Sequence, residues 1–219
     1  MTDYVLVPGM NHGGWWYDPL VEALEDRGHR ATAITPAGLE NEPVLNRRIV
    51  LDTHIDQVVA AVDAASSGVV LVGHSYAGLL ITAAADARPE AVGCLVYLDA
   101  FLPEDGDNAW SLANDEQRDW YAGAATRGGD VVDPLPFFDD RARPHPLGTL
   151  FQSVRLTGAW RRVPRAIYVE ATEWPTPTPM RTSIDRAVTD PHIEHLAWRT
   201  RHNVMHDGPD RVLGLIADL

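Results

Sequence analysis

The stretch VVLVGHSYAG, residues 69–78, decides the fold of this chain. Its first four residues are aliphatic and predict a fully buried strand, which stops at Gly73, His74 and Ser75. The residues that follow Ser75, YAGLLITAAADAR, are rich in alanine and leucine, which favour a helix. The stretch therefore predicts a buried strand, a sharp turn that carries Ser75, and a helix directly behind it.

Short apolar runs and helical patterns alternate along the rest of the chain. Helices are predicted to start at Asp18, at Pro209 and at Thr53, which we expect to cap its helix. Further strands are predicted at residues 4–7, 30–34, 93–98, 166–170 and 192–198. This order predicts the α/β class, with a mostly parallel sheet and helices on both of its faces. The length of 219 residues is suited to a single domain, residues 1–219.

The pattern changes between Phe101 and Pro164. Acidic residues, prolines and glycines are scattered there among isolated aromatic residues, and all four phenylalanines of the chain lie in this stretch. We predict no strand in it and expect a helical lid, inserted between two strands at about residues 101–164. Its aromatic side chains either form the small core of the lid itself or line an apolar pocket.

Composition narrows the classes of partner. The formal net charge of −13 and the lack of a long basic cluster exclude a nucleic-acid partner, because the phosphates would be repelled. Cys94 stands alone in an apolar run, and no Cys/His cluster or HExxH pattern occurs, so we expect no disulfide, no metal and no other cofactor. The N-terminus shows neither a secretory signal nor an apolar run of about 20 residues. We expect a cytoplasmic protein without a membrane partner.

Ser75 has the sequence context of a nucleophile. Residues 73–77 follow the pattern G-x-S-x-G, except that Ala77 takes the place of the second glycine. This pattern is typical of a serine on a tight turn, and an ordinary strand-to-helix turn is the alternative interpretation. A nucleophilic serine needs a base, and it needs two N–H donors for the oxyanion that forms. The amide of Tyr76 and the amide of Met10, in the glycine-containing loop after the first strand, are the candidate donors.

Four blocks of sequence carry a resemblance to a known family: VLVPGMNHGGWWYDPL, VGHSYAG, VYLDAFLPEDG and RHNVMHDGPDRV. In this order they resemble the α/β-hydrolase superfamily, in particular the branch that contains plant methyl-ester esterases and hydroxynitrile lyases. The resemblance spans nearly the whole chain and implies the α/β-hydrolase fold. It also implies that the base follows the last strand, where His202 stands in the position of the family motif. His206 is the second choice for this base.

The acid that orients the histidine has two candidates. In the proteins that this chain resembles, the acid usually follows the strand after the lid, where this chain has Trp174 in the place of the aspartate and Glu173 one residue earlier. In some other α/β-hydrolases the acid follows the strand after the nucleophile helix, where this chain has Asp99. A carboxylate at the end of a buried strand is costly unless it is paired, and a histidine would pair it. We favour Asp99 and keep Glu173 as the alternative.

These residues predict a serine carboxylesterase with a Ser-His-Asp triad, acting on a small, largely apolar ester through an acyl-enzyme. A thioesterase or editing hydrolase in biosynthesis, and a ligand-binding protein without turnover, are the alternatives. The resemblance to hydroxynitrile lyases implies a lysine near the histidine and a threonine in the first loop. This chain has no lysine, and Gly9 takes the place of the threonine, which disfavours a lyase. No oligomeric state is predicted.

Overall fold

A computed structural model describes residues 1–41, 48–66, 68–126, 129–175 and 177–219. Among these residues, six strands form a parallel sheet in the order β2-β1-β3-β4-β7-β8, and β5 and β6 form a separate antiparallel pair. The strands are Asp3–Val7 (β1), Arg30–Ala33 (β2), Val69–His74 (β3), Val92–Leu98 (β4), Val131–Val132 (β5), His145–Pro146 (β6), Arg165–Ala171 (β7) and Ile193–Trp198 (β8). The predicted parallel sheet is confirmed.

Helices cover both faces of this sheet. Tyr4 and Leu6 of β1 share one apolar cluster with side chains of α1 and α9, whereas Val5 and Val7 share the other with side chains of α2 and α3. Successive residues of a strand point to opposite faces, so the two clusters lie on opposite sides of the sheet. The helices are Asp18–Glu25 (α1), Leu51–Ala64 (α2), Ala77–Ala87 (α3), Ala109–Leu112 (α4), Asp115–Thr126 (α5), Gly148–Phe151 (α6), Arg181–Thr189 (α7), Val204–Asp207 (α8) and Pro209–Ile216 (α9).

Two local predictions are wrong. Residues 101–164 do contain strands, because β5 and β6 pair there, although each is only two residues long and has no alternating pattern to reveal it. Helix α2 begins at Leu51, and Thr53 lies inside its first turn, where the Thr53 hydroxyl accepts a hydrogen bond from Val50 N. Val50 is therefore the N-cap residue, and Thr53, at the third position of the helix, satisfies the backbone N–H of that cap.

Helix α7 was not predicted at all. It lies between β7 and β8, and only Ser183, Ile184 and Ala187 of its side chains are buried. These three side chains include only one large apolar residue, so the sequence shows no apolar stripe from which the helix could be predicted.

One prediction falls partly outside the described residues. The segment predicted as a lid at residues 101–164 includes positions 127–128, which are not described. The interpretation of residues 101–164 as a lid stays a prediction. No helix in the described ranges is long and apolar enough to cross a membrane, and the cytoplasmic location stays a prediction as well.

Candidate active site

The predicted site residues follow the carboxyl ends of three strands. Ser75 follows β3, Asp99 follows β4, and His202 lies in the segment after β8. Carboxyl ends of parallel strands share one edge of the sheet, which is where α/β proteins bind ligands. Ser75 and Asp99 have φ angles of 55° and 43°, in the left-handed region that residues other than glycine rarely adopt. Such backbone strain is concentrated at functional sites.

The backbone of Ser75 is tied to the chain that leaves β4. Its carbonyl accepts hydrogen bonds from Phe101 N at 2.9 Å and from Gly78 N at 3.1 Å. A Cβ atom on Gly78 would lie 1.8 Å from the carbonyl oxygen of Phe101. Position 78 therefore requires glycine, because the β4–α4 connection crosses the first turn of α3 there. The close approach thus falls on Gly78 and not on position 77, where the motif has its second glycine and this chain has Ala77.

The loop after β1 passes directly beside the serine. A Cβ atom on Gly9 would lie 3.1 Å from the Cβ of Ser75 and 2.9 Å from the Nδ1 of His74. Met10, the next residue, is buried, and its carbonyl accepts a hydrogen bond from the Nδ1–H of His12 at 2.6 Å. The loop that carries the Met10 amide therefore lies against Ser75.

Asn11 fastens this loop to the segment between β4 and β7. It is fully buried, and its φ is 65°. Its side-chain N–H groups donate to the carbonyls of Val132 and Arg143, both at 2.8 Å. Its backbone N–H donates to the Nδ1 of His145 at 3.3 Å, and its carbonyl accepts from Arg143 N at 2.9 Å. Sequence reasoning missed Asn11. Its tolerance of the left-handed region is a weak signal for such a turn.

Tyr76 is held by a buried histidine of α2. The Nε2–H of His54 donates to the carbonyl of Ala37 at 2.9 Å, so the Nδ1 of the neutral ring accepts from the Tyr76 hydroxyl at 3.0 Å. Burial lowers the pKa of His54 to about 4. These bonds fix the start of α3, where the Tyr76 amide lies, and they were not predicted from the sequence.

The histidine His54 makes the fold sensitive to acid. An unfolded histidine binds its proton near pH 6.5, whereas folded His54 stays neutral down to about pH 4, so the unfolded state binds more protons and stability falls as pH falls through this window. Between pH 7 and 4.5 we expect His54 to account for a loss of roughly 2–3 kcal/mol in the free energy of unfolding.

Urea unfolding of the protein and of His54→Phe at pH 7 and 4.5 measures this contribution. The variant is expected to be less stable at pH 7 and to lose less stability on acidification. The matched control is Gln57→Ala, which removes the hydrogen bonds of α2 to Ala37 N and to the Thr35 carbonyl without removing a titrating group, so it should keep the parental dependence on pH. Equal losses in His54→Phe and the parent would contradict the assignment.

Asp99 is the carboxylate that contacts His202. The His202 Nδ1–H donates to Asp99 Oδ2 at 2.7 Å, and the carboxyl group is fully buried. Asp99 also accepts hydrogen bonds from Ala171 N, at 3.2 Å, and from the indole Nε1 of Trp174, at 2.9 Å. Glu173 is instead half exposed and pairs with Arg199 at 3.2 Å. The structure therefore brings His202 together with Asp99 and not with Glu173.

His202 also contacts the residue before Ser75. His74 donates its Nε2–H to the carbonyl of His202 at 2.9 Å, and the two ring centroids lie 4.5 Å apart. Burial lowers the pKa of His74 well below its usual range, so His74 is neutral. Among the described residues, the Ser75 hydroxyl has no hydrogen-bond partner, and catalytic hydrogen bonds are often long before substrate binds. His206 is exposed and bonds to Asp207, away from this cluster.

The aromatic residues of the segment at 101–164 contact one another and the loop after β1. Phe138 lies 5.0 Å from His12 of that loop and 6.2 Å from Trp120, between ring centroids. Trp110 and Phe151 contact each other at 5.1 Å. In the described part of the chain, no group of three His, Cys, Asp or Glu side chains is arranged to hold a metal ion.

The sequence profile of the alpha/beta hydrolase family matches residues 4–215. The chain belongs to the α/β-hydrolase family. The carbendazim hydrolyzing esterase of Nocardioides sp. (strain SG-4G) is 30% identical to it over 242 residues, with both chains covered completely. The probable esterase PIR7A of Oryza sativa subsp. indica is 37% identical over 106 residues, which cover 47% of this chain and 40% of that esterase.

The same fold is found among solved α/β-hydrolases. An extracellular α/β-hydrolase from a Paenibacillus species, described as sharing structural and functional homology with tobacco salicylic acid binding protein 2, matches with a TM-score of 0.79 at 20% identity. The match covers 100% of this chain and 98% of that one. The resemblance to the branch with plant methyl-ester esterases is confirmed, and the chain is an esterase-type α/β-hydrolase.

Proposed function

We propose that this α/β-hydrolase is a serine carboxylesterase that cleaves a small, largely apolar ester. Ser75 is the nucleophile, His202 the general base and Asp99 the acid that orients the imidazole. The observation that carries the proposal is the 2.7 Å hydrogen bond between His202 Nδ1 and the fully buried Asp99, beside the turn of Ser75. Because this hydrogen bond occupies Nδ1, the Nε2 of His202 is the nitrogen that exchanges protons with Ser75 and the substrate.

The reaction has two halves. Ser75 Oγ attacks the ester carbonyl while His202 Nε2 takes the hydroxyl proton, and the carbonyl oxygen becomes an oxyanion. The tetrahedral intermediate then expels the alkoxide, which takes the proton from the imidazolium and leaves as the alcohol. In the second half, His202 takes a proton from water, whose oxygen attacks the acyl-enzyme. Collapse of that intermediate returns the proton to Ser75 and releases the carboxylic acid.

The amides of Met10 and Tyr76 are the proposed donors to the oxyanion. The Met10 amide belongs to the loop that Gly9 brings against Ser75, and the Tyr76 amide lies at the start of α3. Fixed donors stabilise developing charge better than mobile ones, because no reorganisation is needed during the reaction. The hydrogen bonds of Asn11 and His54 supply this rigidity from outside the site.

Two alternatives use the same three residues. A thioesterase or editing hydrolase would use the same Ser75, His202 and Asp99 on a different acyl donor, and a ligand-binding protein would leave them without turnover. The missing lysine and Gly9 in the first loop continue to disfavour a hydroxynitrile lyase. Rates measured side by side on methyl esters, on acyl thioesters and on carbendazim, after which the Nocardioides relative is named, separate the acyl donors.

Labelling with a fluorophosphonate probe tests the nucleophile. We expect one label per chain in the parent, none in Ser75→Ala, and one in the control Ser66→Ala, whose exposed hydroxyl lies at the opposite edge of the sheet. A label retained in Ser75→Ala would overturn the assignment of the nucleophile. A folded parent that takes no label would favour the ligand-binding alternative.

A further inference from the structure

Trp174 contacts both the acid and the base of the proposed triad. Its indole Nε1–H donates to Asp99 Oδ2 at 2.9 Å, and this is the oxygen that also accepts from His202 Nδ1 at 2.7 Å. Its ring centroid lies 4.7 Å from that of His202, with the ring planes inclined by 43°. Trp174 is only partly buried, so packing against the core does not by itself require an indole at this position.

The carboxyl group of Asp99 depends on such donors. It has no exposure to solvent, and a buried carboxylate needs a partner for each oxygen. Ala171 N donates a hydrogen bond to Oδ1 at 3.2 Å, whereas Trp174 and His202 both donate to Oδ2. Two of these three donors come from the end of β7 and the residues after it. Rotation of the carboxyl group away from His202 would therefore break hydrogen bonds to both Ala171 and Trp174.

We propose that Trp174 is a positioning residue for the Asp99–His202 pair, an inference that rests on the proposed function. Its indole N–H holds Oδ2 toward the imidazole, and its ring limits the tilt of His202. Hydrogen bonds to a charged acceptor are about twice as strong as neutral ones, so the indole donor contributes strongly to the orientation of the carboxylate, beside Ala171 N. The segment after β7 thus takes part in this site by donating a hydrogen bond to the acid.

The donor also withdraws charge from the oxygen that faces His202. Without it, Oδ2 attracts a protonated imidazole more strongly, although the carboxylate is less well oriented. Loss of this donor should therefore have two effects. The value of kcat falls, and the acid limb of the plot of kcat/KM against pH moves to higher pH. In the described chain, the other titratable groups near this pair are His74, His12 and Tyr168. Burial lowers the pKa of both histidines and raises the pKa of Tyr168, so burial favours the neutral form of all three.

The variant Trp174→Phe removes the donor and keeps an aromatic ring. We expect kcat for a small carboxylic ester to fall about 5- to 30-fold, with KM changed by less than about two-fold. We expect the midpoint of the acid limb of kcat/KM to rise by about half a pH unit. The low-field proton resonance of His202 Nδ1–H should shift in the same variant, without any substrate present.

The matched control is Trp198→Phe. Trp198 is buried at the end of β8 against Arg211, and its indole N–H has no hydrogen-bond partner in the described chain. The Trp198→Phe substitution should leave the acid limb of kcat/KM and the His202 Nδ1–H resonance unchanged. Trp174→Leu, which also lacks the donor, repeats the test if thermal unfolding shows that Trp174→Phe does not fold.

Two results would overturn the inference. Parental kcat, acid limb and resonance in Trp174→Phe would show that the indole only packs. A lower kcat with an unmoved acid limb and resonance would show general structural damage. Failure of the proposed function is distinguishable, because Ser75→Ala would then keep its esterase activity while the His202 resonance, read without substrate, still responds to Trp174→Phe.

Discussion

Replacement of Ser75 by alanine should lower the turnover of a small carboxylic ester by at least about 10³-fold. The substitution removes the hydroxyl that forms the acyl-enzyme and leaves only the oxyanion donors and substrate binding to act on water. The fold should persist, because the hydrogen bonds of Ser75 to Leu98, Phe101 and Gly78 all use backbone atoms. Steady-state hydrolysis measures the loss, and circular dichroism checks the fold.

The control for this prediction is Ser66→Ala. The Ser66 hydroxyl donates to Asp3 at the amino end of β1, so the Ser66→Ala variant should keep parental turnover. Comparable hydrolysis by Ser75→Ala and the parent would show that another group attacks the ester, and the proposed mechanism would then fall.

The second large effect is expected for Asp99→Asn, which should lower kcat by about 10⁴-fold, as the equivalent change does in a serine protease triad. The carboxylate accepts three hydrogen bonds, from Ala171, Trp174 and His202. An asparagine has one acceptor oxygen, so its amide nitrogen must face at least one of these N–H donors. If that nitrogen faces His202 Nδ1, the imidazole loses the tautomer that leaves Nε2 free to accept a proton. In either orientation, the imidazolium that forms during turnover loses its neighbouring negative charge.

Glu173→Gln is the matched control, because Glu173 is the other acid that the sequence offers. It is half exposed and pairs with Arg199, so its loss should change kcat by less than about two-fold. Kinetics of both variants on one ester decide the assignment. A large loss in Glu173→Gln with little change in Asp99→Asn would transfer the role of the acid to Glu173.

The sequence predicts the sheet well because the information is local. The aliphatic runs of β3 and β4 identify buried strands without any knowledge of their neighbours, and Ser75 stands out by its place between a strand and a helix. The choice of Asp99 also follows from a local fact, since a carboxylate at the end of such a strand needs a partner.

The supporting contacts cannot be predicted in this way. Asn11 bonds to Arg143 across 132 positions, and Trp174 bonds to Asp99 across 75. Neither residue stands in a periodic pattern, and each acts through a single hydrogen-bonding group that only the folded chain brings to its partner. Helix α7 was missed for a related reason, since few of its side chains reach the core.

The attachment of Asn11 limits how the predicted lid could move. Four hydrogen bonds join Asn11 to Val132, Arg143 and His145, so residues 131–146 cannot move outward without breaking these bonds or displacing the loop that carries Met10. With the Met10 amide as the proposed oxyanion donor, a lid movement that keeps this donor in place must pivot elsewhere in the segment at 101–164. Residues 131–146 then stay with the loop after β1, and only the remaining parts of the segment can open.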